Sequence, residues 1–262
     1  MFEKYEKLKR LLSSYERLIV AFSGGVDSSF LLKTAYDVLG ENVLAISLQT
    51  PYIAESEIEE ARRIADEIGA RHLVLVKPWL EELRTNPKER CYLCKHALFS
   101  SLTTFAQQRD FRVIAEGSNV DDTMEERPGR VALLELSILT PLLDVGLSKA
   151  EIRLLSKAVG LSTWNKPSYA CLLTRFSYGV VVEESALKKV HDAEAYLIAQ
   201  GYPKMRVRYE ANIARIEMEK EDALRLMNDG AFSTIIEEVK SYGFLHVTLD
   251  LQGYRYERKA VL

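Results

Sequence analysis

No apolar run in this chain approaches the ~20 residues that a membrane-spanning helix needs, so a bilayer span is not expected. The opening stretch, MFEKYEKLKRLLSSYE, has neither an apolar centre nor a small-residue cleavage site. It reads as a charged amphipathic helix rather than a leader, and a cytoplasmic protein is the expectation. Charge of one sign is also missing: 35 Lys and Arg face 38 Asp and Glu, for a net charge of -3. Without clustered positive charge, a nucleic-acid partner is not expected. Cysteine is scarce and odd in number, three among 262 residues, which argues against a disulfide framework. Metal binding, catalysis or idle thiols remain. There is no repeat and no low-complexity tract.

What the chain does have is an ordinary globular balance, 47% hydrophobic and 28% charged, enough for a full core. Short β-branched runs alternate with helical patterns over the first two-thirds. Leu18–Phe22, Val43–Leu48, Leu73–Val76 and Val113–Ala115 read as buried strands, with a short fifth at Ile138 and Leu139. Helices are expected over 28–39, 54–68, 92–108 and 148–159. Ile58, Ala61, Ile64, Ala65 and Ile68 form one apolar stripe, and Gly40, Gly69 and Gly160 stand where helix C-caps belong. This alternation predicts an α/β fold, a parallel sheet with helices on both faces. From about Trp164 the pattern changes. A helix over 183–200, a hairpin of 205–209 and 213–218, two short helices and a strand over 245–249 predict a smaller α+β domain over residues 180–262, for substrate binding or oligomerisation.

The most informative segment is Ser23-Gly24-Gly25-Val26-Asp27-Ser28-Ser29, which follows a strand and opens a helix. Its backbone N–H groups converge at the positive end of a helix dipole, and Gly24 and Gly25 permit close approach of an anion. It lacks the lysine of the GxxxxGK(S/T) loop, which suits a pyrophosphate leaving group better than terminal phosphoryl transfer. Asp27 beside an anion makes sense where a divalent cation bridges the two. A plain Ser/Gly turn with a polar cap is the bland reading, and the full seven-residue segment outweighs it.

SGGVDSS resembles the signature of the PP-loop (N-type) ATP pyrophosphatases, which cleave ATP between the α- and β-phosphates. The resemblance implies a Rossmann-like sheet over residues 1–179, with ATP across the carboxyl ends of the strands. It assigns Ser23, Gly24, Gly25, Asp27 and Ser28 to the pyrophosphate and its Mg²⁺, and the region of Ser47 to adenine. Residues 116–122, with Gly117, are similar to the G-(S/T)-N-x-D-D loop of several branches; a helix cap or Asx-turn explains them equally well.

Cys91 and Cys94 form a CxxC at the start of a predicted helix, and Cys171 lies far downstream. Zinc would want a fourth ligand, and His96 would point away from the cysteine side. Three thiolates also suffice for a cubane 4Fe-4S cluster with one iron left open. Cys171 lies within WNKPSYACLLTRFSYG, residues 164–179, which resembles a stretch of the LarE sulfur transferases; the likeness continues through Glu194, Arg206-Val207-Arg208 and residues 212–217.

That family implies an ATP-dependent sulfurtransferase. Carboxylates of a pyridinium dicarboxylate mononucleotide are adenylated and converted to thiocarboxylates in nickel-pincer nucleotide biosynthesis, with release of AMP and pyrophosphate. It also implies homo-oligomers. Cys91, Cys94 and Cys171 match the members that bind a 4Fe-4S cluster and take sulfur from an external sulfide donor. Asp27 and the three cysteines are then the catalytic candidates. Arg175, Glu194, Arg206 and Arg208 are the substrate candidates, with Arg175 also a nucleotide candidate. The bland alternatives are a solvated strand face for Arg206 and Arg208 and an exposed helix charge for Glu194. Arg127 and Arg130 read as a solvated loop, with ligand contact the alternative. The competing readings are a tRNA thiolase, an amide-forming synthetase, and a nucleotide sensor with structural zinc.

Overall fold

The structure is a computed structural model, and it describes residues 1–123, 128–167 and 170–254. The helices and strands in chain order are α1 (Phe2–Ser13), β1 (Leu18–Ala21), α2 (Val26–Leu39), β2 (Val43–Gln49), α3 (Glu55–Ile68), β3 (Arg71–Val76), α4 (Arg90–Gln107), β4 (Ile114–Ala115), α5 (Pro128–Glu135), α6 (Pro141–Asp144) and α7 (Lys149–Ala158). Then come α8 (Glu184–Ala199), β5 (Met205–Glu210), β6 (Ile213–Met218), α9 (Lys220–Met227), α10 (Phe232–Ser241) and β7 (His246–Leu249). Two compact units result: Met1–Leu83 with Lys88–Tyr169, and Arg84–Pro87 with Ala170–Leu262.

The first unit is built on a parallel sheet of order β3-β2-β1-β4. Side chains alternate across a strand, and both faces of this sheet are apolar. Leu18, Val20, Val43 and Ala45 pack with α1, α2, α3 and α7 on one side. Ile19, Leu44 and Ile46 meet Phe99 and Leu102 of α4 and Leu133 of α5 on the other. A parallel sheet needs this double cover, since crossover helices must lie somewhere and both strand faces are apolar.

The expected fifth strand contracts to a single bridge, Ala115 to Leu139. Ser137 is left-handed just before it, and Pro141 opens α6 just after it, so no ladder can extend. The loop expected around Pro128 and Gly129 is instead the start of α5, because proline is well suited to a helix's first turn. Arg130 is exposed on it, and Arg127 lies outside the described residues. Among the described residues no helix is long and apolar enough to cross a membrane.

The second unit is a three-stranded sheet of order β5-β6-β7, with β5 antiparallel and β7 parallel to β6. Ala211 and Asn212 are both left-handed, the geometry a two-residue hairpin connection requires. Residues 170–179 belong to this unit because Asn86 holds them. Its buried Nδ2 donates to Leu173 O at 3.2 Å, Phe176 O at 3.0 Å and Ser177 O at 2.9 Å.

Candidate active site

The glycine turn leaves the carboxyl end of β1, where Phe22 N–H still donates to Ile46 O at 2.8 Å. Gly24 is left-handed at φ 67°, and a Cβ there would come within 2.9 Å of Ala61 Cα on α3. Gly25 is the N-cap of α2. Ser28 Oγ accepts from Ser23 N–H at 3.3 Å and lies 3.2 Å from Ser23 Oγ, which in turn accepts from Gly25 N–H at 3.4 Å. The turn is thus preshaped by its own serines, with the first N–H groups of α2 at its mouth. Gly117 is the second close approach: a Cβ there would sit 2.9 Å from Ser28 N, so the loop after β4 lies against the first turn of α2.

Asp27 points into this region. Its Oδ2 is ion-paired with Lys149 Nζ, while Oδ1 is buried and accepts no hydrogen bond among the described residues. Burial pushes its carboxyl above the usual range, against the pull of Lys149. A buried carboxylate oxygen without a donor is costly, and a hard divalent cation with oxygen preference is the ligand that would satisfy it. Beside it lies a cavity of about 150 Å³ bordered by Ser23, Gly25, Asp27, Glu57, Lys149 and Lys166. The donor set therefore fits magnesium and a polyphosphate.

Ser47 is buried at 1% exposure and its hydroxyl is engaged, donating to Phe22 O at 2.7 Å. His72 Nε2 lies 2.8 Å from the same oxygen. Since the Ser47 hydrogen is committed, Nε2 must carry the proton it shares. Burial, with Arg62 adding to it, lowers the His72 pKa to about 4, so the ring is neutral near pH 7. In the loop after β4, Asp121 N–H donates to Asn119 Oδ1 at 3.0 Å and Asn119 N–H to Asp122 Oδ2 at 2.9 Å. Asp121 Oδ2 accepts Lys149 N–H at 2.6 Å and so caps α7. Asx-turn and cap both occur here, beside the approach of Gly117 to the glycine turn.

Cys91 and Cys94 are one turn apart at the start of α4. Cys94 Sγ is 3.6 Å from the Tyr52 hydroxyl. Cys171, in the second unit, precedes a turn of 3-10 helix, and its carbonyl accepts Thr174 N–H at 3.0 Å and Thr174 Oγ at 2.8 Å. None of the three cysteines is in a disulfide, and all are partly buried. Among the described residues no three His, Cys, Asp or Glu side chains gather as a metal site.

Arg175 and Glu194 pair with each other inside the second unit. Arg208 donates to Glu217 Oε1 at 2.9 Å and also to Thr174 O. Arg206 differs: it forms no ion pair among the described residues, and its guanidinium lies over the Tyr254 ring at 4.9 Å. Burial lowers its pKa, with Arg175 and Arg208 adding to the fall, so an anion would be welcome there.

Three residues escape a reading by sequence. Lys149 had a signal, because Ser148 and Glu151 form a capping box that places it first on α7. Lys166 stands in the quoted WNKP segment, with nothing local to show where its side chain goes. Asn86, left-handed before a proline, shows its role only once the loop it clamps is folded.

The family model for NAD synthase matches residues 6–94. The chain is 39% identical to an uncharacterized protein of Synechocystis over 96% of its length and 95% of that protein. It is 33% identical to the pyridinium-3,5-bisthiocarboxylic acid mononucleotide synthase of Lactiplantibacillus plantarum, over 97% of this chain and 93% of the other. A tRNA-specific 2-thiouridylase of Thermoanaerobacter is 27% identical over 68% of this chain and 61% of its own.

Proposed function

Because the chain belongs to the LarE family of PP-loop enzymes, we propose that it adenylates the carboxylates of a pyridinium dicarboxylate mononucleotide and replaces an oxygen of each with sulfur. It is an ATP-dependent enzyme. The observation that carries the reading is the unpartnered Asp27 Oδ1 at the mouth of the anion turn, beside two lysines.

Magnesium on Asp27 and the serine-braced turn would hold the β- and γ-phosphates of ATP. The substrate carboxylate attacks the α-phosphorus, the bond from that phosphorus to the bridging oxygen breaks, and pyrophosphate leaves with its electron pair. Catalysis here is positioning plus neutralisation of charge on the departing group. A sulfide nucleophile then attacks the acyl carbon, and AMP leaves with the electron pair of its anhydride bond. Arg206 is the favoured grip for the substrate's own phosphate, since Arg208, Arg175 and Glu194 already have partners.

Cys91, Cys94 and Cys171 are the residues for sulfur delivery. A CxxC with one distant cysteine supplies three thiols, which suits a 4Fe-4S cluster better than four-coordinate zinc. When bound, such a cluster supplies an iron without a protein ligand, able to carry hydrosulfide. The test is anaerobic purification with iron and sulfide analysis and a visible spectrum, beside an assay of pyrophosphate release that depends on the mononucleotide. Pyrophosphate release without need of that acid would overturn the substrate assignment. A colourless protein with stoichiometric zinc would overturn the cysteine assignment.

A further inference from the structure

Lys166 carries a further inference, which rests on the adenylation reading above. The glycine turn has no lysine of its own. Lys166, 142 residues from Gly24 in sequence, brings one: its Nζ donates to Gly24 O at 3.0 Å. The same ammonium pairs with Glu60 Oε2 on α3 at 2.6 Å, and its side chain is 10% exposed. It borders the cavity that Ser23, Gly25 and Asp27 also border. Lys149, the other lysine there, is committed to Asp27.

A plain staple between α3 and the turn would use the same contacts. Two features go beyond a staple. First, an ammonium has three N–H donors on a freely turning tip, and its two acceptors here leave capacity for a third. Second, Glu60 is one-third exposed and already has Arg63 at 3.5 Å, so it loses little when the lysine turns away.

We propose that Lys166 is a pyrophosphate-binding residue held in reserve by Glu60. On arrival of the polyphosphate, Nζ keeps the Gly24 carbonyl and exchanges the Glu60 carboxylate for a β- or γ-phosphate oxygen. Lys166 thereby supplies from a distant segment the point charge that the turn lacks. The exchange is favourable because a polyphosphate brings more negative charge into the cavity than the one partly exposed carboxylate of Glu60.

The test is calorimetric titration of the full chain with magnesium pyrophosphate, comparing wild type, Lys166→Met and Glu60→Gln. Lys166→Met is expected to bind about tenfold more weakly, the loss typical of one charge-assisted hydrogen bond. Glu60→Gln is expected to bind more tightly, because the lysine's competing partner is gone. A staple predicts the opposite sign for Glu60→Gln, since the turn would loosen. Binding within twofold of wild type for Lys166→Met, or weaker binding for Glu60→Gln, overturns the proposal. If Lys166→Met does not fold, the sign for Glu60→Gln decides alone. If wild type neither binds magnesium pyrophosphate nor releases it from ATP, the adenylation reading falls first and this inference with it.

Discussion

Arg175 and Glu194 close a two-point ion pair inside the second unit, Nε to Oε1 at 2.8 Å and Nη2 to Oε2 at 2.9 Å. Glu194 Oε1 also accepts Val207 N–H at 2.9 Å, so a helix side chain satisfies a backbone donor of the edge strand β5. Arg175 Nη1 spends its hydrogens on Ala170 O at 2.9 Å and Thr174 Oγ at 2.8 Å. One buried pair therefore ties α8 and β5 to the segment that carries Cys171.

Removing half of such a pair leaves an uncompensated buried charge. Glu194→Ala is expected to destabilise the protein by about 3–5 kcal/mol, and Glu194→Gln by less, since it keeps an acceptor for Val207. Urea unfolding measures both. A loss below about 1 kcal/mol for Glu194→Ala would show that the pair is not structural and that Glu194 is available to a ligand.

Asp27→Asn keeps the shape of the side chain and removes its charge. It is expected to abolish pyrophosphate release, by a hundredfold or more on the order of other lost charge-neutralising contacts, while the thermal midpoint changes little. Isotope exchange between ATP and pyrophosphate reads the first quantity, and differential scanning fluorimetry the second. Retained turnover would remove Asp27 from the metal site.

The cysteines separate the two half-reactions. Replacing Cys91, Cys94 or Cys171 by Ala is expected to stop thiocarboxylate formation while adenylation persists, detectable as pyrophosphate release without sulfur in the product. An amide-forming synthetase would keep its full activity in all three variants. Mass spectrometry of the mononucleotide product decides.

His72 sets an acid limb in stability. Its folded pKa is about 4 against an ordinary 6.5, so as the pH falls below about 6.5 the unfolded chain takes up the proton first. Stability is therefore full above that value, declines as the pH falls towards 4, and levels off below. His72→Gln, which keeps an N–H donor for Ser47, is expected to flatten this limb. Denaturation midpoints at pH 7 and pH 4.5 test it; an unchanged difference between them would mean that another group is responsible.

The parts legible in the sequence are those whose causes are local. The helix expected over 148–159 is α7, opened by the Ser148–Glu151 capping box, and the hairpin expected over 205–218 forms with its connection one residue shorter, Ala211-Asn212, because Glu210 joins β5. SGGVDSS announced a glycine turn opening a helix because glycine at φ 67° and a helix N-terminus need only neighbouring residues. Where the reading failed, at Leu139 and at Pro128, short-range signals of opposite meaning competed. Leu139 has strand composition but is hemmed in by turn residues, and a proline can break a helix or begin one.

Charge placement is of a different kind. Sequence alone determined that the turn contains an aspartate and no lysine, and that three thiols exist without a disulfide framework. Only tertiary structure decided that Lys149 would neutralise that aspartate, that Lys166 would stand at Gly24, and that among the described residues Arg206 would have no carboxylate partner while Arg175 and Arg208 found one. The reason is range: backbone conformation answers to adjacent residues, whereas a long charged side chain answers to whatever the fold brings within a few ångströms of its tip.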